Sequence, residues 1–353
     1  MDFYEKNKTL FDELEKRIEA SPESPENYLM LGKLCVMGLM YDEGLEAYGR
    51  LLRIDPLNVQ ALINSGSICF FQKNYQKAIN YYSRALETDA ANSSVYYNLG
   101  NCYAELKNFN QSMEEYKKAL KYDDKNPAIY TAKGLLYQDM SEFPSAVANF
   151  QKAVELEPEN PEYNNNLACA FLKMKLFEEA VFYFKAALKY SPDDAKIALC
   201  CANAYSAMKK YDEANEYFDK AVEIDKNYYN AYICKAISLC EEGRVNEAKA
   251  VFDEALLIDE NRSNAYVLKA NLSVSEKNYS EALKLYKSAL EKEPDSAKIY
   301  IHSANTRVLT DDLAGAIKDY KHAVDLQPEN DETKLLYYDT ICDFVDKKFK
   351  KES

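Results

Sequence analysis

The sequence predicts an all-α solenoid of nine antiparallel helix pairs, closed by a lone helix at each end. Three observations carry this. Phrases return every 34 residues from Pro25 to Asn330 without insertion or deletion, small and aromatic residues recur at matched places in each return, and turn formers are scarce. Gly and Pro number 9 and 10 in 353 residues, well under the ~12 % of an average soluble chain. A fold built on tight turns is disfavoured.

The frames are 25–58, 59–92, 93–126, 127–160, 161–194, 195–228, 229–262, 263–296 and 297–330, flanked by 1–24 and 331–353. Place eight holds only Gly or Ala: Gly32, Gly66, Gly100, Gly134, then Ala168, Ala202, Ala236, Ala270 and Ala304. Place twenty is small throughout, and place twenty-seven is Ala in every frame but the first, which has Leu51. Place twenty-four is always a large ring, running from Tyr48, Tyr82, Tyr116 and Phe150 to Tyr320, and place twenty-eight is always Leu or Val. Spacings of four, seven and eight put these residues on one helical stripe. Two helices approach closely where Gly or Ala removes side-chain bulk, and the ring fills the space beside them. A pair this thin cannot bury its own stripe, so each must lean on the next.

The frame resembles the tetratricopeptide repeat (TPR), best seen in residues 93–126 and 161–194. Tyr stands at place four in six frames where Trp is frequent in that family, and a turn Pro survives at Pro56, Pro158, Pro192, Pro294 and Pro328. The resemblance implies a right-handed superhelix whose first helices line a concave wall at places two, five, six, nine, twelve and thirteen. It also implies a non-catalytic adaptor that binds a protein or peptide segment in that groove.

The flanks read as caps. In 1–24, Leu10, Leu14 and Ile18 fall at places twenty, twenty-four and twenty-eight of a missing frame. After Asn330 one more helix is expected on Leu335, Leu336, Ile341, Phe344 and Val345, with Tyr338 blocking place eight and Lys347, Lys348, Lys350 and Lys351 suiting the negative end of a helix dipole. Frames eight and nine, polar at place eleven with Ser273 and Arg307, are expected to fray.

Composition narrows the function. With 44 Lys+Arg against 58 Asp+Glu the net charge is −14, which repels a phosphate backbone and argues against a nucleic-acid partner. No apolar run is long enough to span a membrane and no secretory leader stands at the front, so membrane insertion is excluded and a cytoplasmic location is expected. Nine cysteines without CxxC spacing suggest neither a disulfide framework nor a zinc ribbon. Cys169, Cys200, Cys234 and Cys240 fall at inward-curving places of first helices, where thiol chemistry and plain lining are both open. The two histidines, His302 and His322, fall on different helices, and nucleotide-binding, zinc-protease and nucleophile-elbow motifs are missing. Glu114, Glu115, Glu178 and Glu179 sit at places expected to face solvent. No enzyme, cofactor or metal is therefore expected.

The groove places hold the candidates. Seven asparagines occupy places six and nine, among them Asn64, Asn98, Asn101, Asn166 and Asn203. Asn is a poor helix former, and its amide offers both a donor and an acceptor to a peptide backbone. In this the array resembles the asparagine ladder of the repeat region of O-linked N-acetylglucosamine transferase, carried over only to Asn64, Asn98 and Asn166. Ala132 interrupts it, and simple tolerance of Asn on an exposed face stays open. Leu29, Met30, Ile63, Phe70 and Tyr97 would give the front third an apolar surface for a docking segment, unless the N-terminal helix or a second copy covers it. Lys is missing from place five of every frame, so the carboxylate clamp of co-chaperones in this family is not present. Two alternatives to a monomeric adaptor remain: a substrate-recognition module for a separate enzyme such as a glycosyltransferase, and a self-assembling structural protein.

Overall fold

The last residue of a frame starts the next helix. Asn58, Asn92, Asn126 and Asn160 each accept hydrogen bonds from backbone N–H groups two or three residues on, and Asp194 does the same. Each cap satisfies donors a helix start leaves orphaned and stabilises it by about 1 kcal/mol. The structure is a computed structural model describing residues 3–352, with side chains to 348. Met1, Asp2, Ser353 and the side chains of Lys350 and Lys351 lie outside the described residues.

The chain forms two compact units, Met1–Leu176 and Phe177–Ser353. The first holds α1 (Phe3–Ala20), α2 (Pro25–Met37), α3 (Tyr41–Ile54), α4 (Val59–Phe71) and α5 (Tyr75–Thr88). It continues with α6 (Ser93–Glu105), α7 (Phe109–Tyr122), α8 (Pro127–Asp139), α9 (Phe143–Leu156) and α10 (Pro161–Lys173). The second begins with α11 (Phe177–Tyr190), α12 (Ala195–Ala207), α13 (Tyr211–Ile224), α14 (Tyr229–Glu242) and α15 (Val245–Ile258). Then follow α16 (Ser263–Ser275), α17 (Tyr279–Lys292), α18 (Ala297–Leu309), α19 (Leu313–Leu326) and α20 (Asp331–Glu352). Among the described residues all regular structure is helical, and none of the helices is long and apolar enough to cross a membrane. Sequential helices pack antiparallel within each unit, the arrangement of a TPR solenoid.

The holes and knobs meet as side-chain size requires. A Cβ built on Gly32 would lie 2.3 Å from the Tyr48 ring, and one on Gly100 would lie 2.4 Å from that of Tyr116. Gly66 against Tyr82 and Gly134 against Phe150 repeat the contact. The place-twenty-four rings are buried to 2 % exposure or less.

Each first helix stops in the same way. The N–H of place sixteen donates back to the carbonyl of place eleven, as from Asn74 to Cys69 and Asn108 to Tyr103, both at 2.8 Å. The residue between, at place fifteen, is left-handed: Lys73 at φ 59°, Lys107 at 58° and Lys175 at 59°, with Gly243 at 89° the single glycine so placed. This is the geometry of a helix C-terminal cap that glycine normally fills. Lysine fills it here in five of the frames.

Tyrosine at place four also has a reason. The hydroxyls of Tyr96 and Tyr130 each donate at 3.1 Å to a carbonyl six residues earlier, in the turn that enters the helix, and Tyr28 does so at 3.0 Å. In frame five the buried Asn164 amide takes over, donating to Pro158 O at 2.9 Å. The side chain ties the turn to its own helix.

Both end helices differ from the expectation. On α1, Phe11 and Leu14 are buried against Leu34 and Cys35, while Leu10 is 41 % exposed. On α20, the residues turned toward α18 and α19 are Thr333, Leu336, Tyr337 and Thr340, and Leu335, Phe344 and Val345 are exposed. Spacing alone allows either face of α20 to pack, and the two threonines fit the narrow approach. Frames eight and nine keep full-length helices, because their polar groups pair internally. Ser273 is fully buried and donates to Lys269 O, and Arg307 bridges Asp312 and Asp319.

Candidate functional site

Four of the first helices of the first unit line one trough. It has a volume of about 590 Å³ and runs across α4, α6, α8 and α10. Phe70, Tyr97, Asn101, Thr131, Ala132 and Leu135 form its wall, all at places five, six, nine or twelve. Tyr116, reaching up from α7, closes the floor, and its ring tilts against that of Tyr97 with centroids 6.1 Å apart. Glu105, Asp139 and Glu162 ring the trough, with Lys107 the basic residue among them. Lys107 is held by Asp139 at 3.1 Å, and Glu105 accepts from the Tyr75 hydroxyl at 3.1 Å. The remaining charge at the rim is therefore acidic over an apolar wall.

Three of the sequence candidates, Phe70, Tyr97 and Asn101, meet in this trough. Asn98 lines a smaller hollow of about 170 Å³ beside it, with Ser67, Phe70 and Tyr82. Leu29 and Ile63 are partly buried against core clusters, and Met30 is 45 % exposed outside the trough. Asn166 is half-buried on α10, also outside the trough lining, and Asn203 belongs to the second unit. Leu135, Thr131 and Glu162 were not singled out as site residues by sequence reasoning, although they stand at the groove places the family resemblance named.

Five of the seven groove asparagines, Asn64, Asn101, Asn203, Asn271 and Asn305, have internal partners. Asn101 Oδ1 accepts from the Tyr116 hydroxyl at 2.6 Å, and Asn271 Oδ1 accepts from that of Tyr286 at 2.5 Å. Asn305 accepts in the same way from Tyr320, and Ser67 pairs with Tyr82 at 3.1 Å. Each pair joins place nine to the place-twenty-four ring of the same frame. Where that ring is Phe150, place nine is Leu135, and where it is Phe252, place nine is Ile237. A buried phenol needs a partner and a phenyl ring does not. Asn64 is spent differently, donating to the Tyr48 hydroxyl at 3.0 Å and accepting from Gln60 at 2.9 Å. Asn203 is hydrogen-bonded to the Cys234 thiol.

The buried thiols are held in the protonated form. Burial pushes the Cys35 thiol up to about 11 and those of Cys102 and Cys201 up to about 12. Thiols so far from the thiolate are inert at neutral pH. His302 stacks on Tyr286 with centroids 6.0 Å apart, and His322 on Tyr300 at 5.2 Å. Burial, and then the nearby Lys298, hold the His302 imidazole below its usual value. Glu115, expected to face solvent, is only 13 % exposed and pairs with Lys118 at 2.8 Å. Among the described residues no group of three or more His, Cys, Asp or Glu side chains converges to hold a metal.

Stacked helix pairs with a lined trough define a helical-repeat scaffold. Two tetratricopeptide repeat family models match the chain, one over residues 71–136 and 205–272, the other over 40–94, 131–195, 165–229 and 267–331. The chain belongs to the tetratricopeptide repeat family, and its general role is that of a protein–protein interaction scaffold. No curated protein matches it. Among solved structures it is similar to a tetratricopeptide repeat protein from Parabacteroides merdae, with 18 % identity, a TM-score of 0.52, and 70 % of this chain and 98 % of that one covered. It is also similar to PilW, a type IV pilus biogenesis factor, with 20 % identity, a TM-score of 0.50 and coverage of 58 % and 94 %. A third, Pseudomonas aeruginosa pilF, gives 19 %, 0.50, and 57 % and 92 %. At these identities the likeness is one of fold.

Proposed function

We propose that the chain is a non-catalytic adaptor whose first-unit trough, across α4, α6, α8 and α10, binds a peptide segment carrying an apolar side chain next to basic ones. The observation that supports this most is the combination of an apolar wall, with Leu135 46 % exposed, and a rim whose uncompensated charge is acidic. Exposed apolar surface inside a polar rim marks docking sites for extended or helical segments. The nine frames from 25 to 330 act in this reading as the structural units, and the trough spans four of them.

Asn101 contributes through its amide N–H groups, its carbonyl oxygen being held by Tyr116. Asn64 is committed to Tyr48 and Gln60, which weighs against a continuous amide ladder and so against the glycosyltransferase-like alternative. The test is selection of a displayed random peptide library on the full chain, followed by rebinding of the enriched clones to Leu135→Arg. Leu135 is exposed, so this variant keeps its fold. Enriched clones should carry Lys or Arg beside an apolar residue and bind the variant at least ~10-fold more weakly. Clones that bind both proteins equally would place recognition elsewhere.

A further inference from the structure

The two end helices close the array in different ways. On α1 the residues facing away from α2 include Glu13 and Arg17, joined in an ion pair at 2.7 Å. Such a polar outer face is what a terminal element needs for solubility. The outer face of α20 is apolar instead: Leu335 is 61 % exposed, Tyr338 60 % and Val345 41 %, with exposed Cys342 between them. These four residues follow one another at spacings of three, four and three, the alternation of a coiled-coil seam. The opposite face of the same helix is already used by Thr333, Leu336, Tyr337 and Thr340 against its own unit.

We propose that this face is a homodimer seam, in which α20 of one copy pairs in parallel with α20 of a second. The flanking charges select both the partner and the direction. With Leu335 and Cys342 at position a and Tyr338 and Val345 at position d, Lys334, Ile341 and Lys348 fall at g and Asp339 and Asp346 at e. In a parallel pair position g faces position e of the next heptad on the partner. Lys334 of each copy then meets Asp339 of the other, twice over by symmetry. In an antiparallel pair equal positions face each other, which sets Asp339 against Asp346 and Lys334 against Lys348, both repulsive. The charge pattern is complementary to itself in one direction only. Lys334 now holds Asp331 at 2.9 Å, but that carboxylate is 91 % exposed, and exchange of so exposed a pair costs little. Two heptads make a small interface, so the dimer belongs to the micromolar range rather than the nanomolar one.

Sedimentation velocity of the full chain from about 1 to about 200 µM tests this. The expected result is a concentration-dependent shift to twice the monomer mass. Tyr338→Glu, on an exposed side chain, should raise the dissociation constant at least ~100-fold with an unchanged circular dichroism spectrum. Lys334→Asp should weaken the dimer ~10-fold, and the swap Lys334→Asp with Asp339→Lys should return it to within ~3-fold of the parent. A parent that stays monomeric throughout, a Tyr338→Glu chain that dimerises as well as the parent, or a swap that fails to recover would each overturn the parallel seam. The seam and the trough lie on different units, so either can fail alone.

Discussion

At the scale of single residues, the Asn and Tyr pairs show how a groove residue can be conditioned by a ring beneath it. Asn101 and Tyr116 act together, the amide oxygen satisfying a phenol that is 2 % exposed. Asn101→Leu should destabilise the first unit by about 1–2 kcal/mol, because the hydroxyl loses its acceptor. Adding Tyr116→Phe, which reproduces the Leu135 and Phe150 pairing of the next frame, should recover most of that loss. Urea unfolding of the four members of this cycle measures the coupling, and simple additivity would show that the hydrogen bond does not matter. His302 makes a second prediction. Its imidazole titrates lower in the folded chain than its ordinary 6.5, so on acidification the unfolded chain takes the proton first. Stability is complete above the unfolded value and should fall as pH drops through about 6.5 toward the folded value. In thermal melts between pH 7.5 and 5.5, about one unit either side of that value, His302→Gln should flatten this slope.

Helices are shaped by their ends as much as by their stripes. Five frames place a lysine in the left-handed position that closes the first helix, where a side chain costs about 1–2 kcal/mol relative to the right-handed region. Lys73→Gly relieves that strain at φ 59°, against about 0.5–1 kcal/mol of extra chain entropy on unfolding. The net expectation is a gain of about 0.5–1 kcal/mol, visible as a higher urea midpoint with an unchanged slope. A lower midpoint would mean that the lysine side chain contributes more than its backbone conformation costs.

For the molecule as a whole, stability is approximately a sum over frames and the interfaces between neighbours. Ala153 is fully buried on α9, and Ala153→Phe would overpack a place that is Ala in eight of the nine frames and never aromatic. Hydrogen exchange should then lose protection in α8 and α9 first while α2 to α5 keep theirs. Uniform loss across the first unit would instead show that it opens as one body.

Periodicity made most of this fold legible. A hole at Gly100 and a knob at Tyr116 lie sixteen residues apart in one hairpin, and their sizes alone say that they touch. The trough was readable by place, through Phe70, Tyr97 and Asn101, once the family resemblance said which places face inward. The sequence by itself determined the repeat length, the helix pairs and the small-to-large packing code, because those follow from side-chain volume at fixed helical spacing. Only the tertiary structure decided which amides are spent on buried hydroxyls, why tyrosine holds place four, and which face of α20 stays open. Those outcomes depend on which polar atoms and apolar faces meet when helices approach, and residue type alone does not specify that meeting.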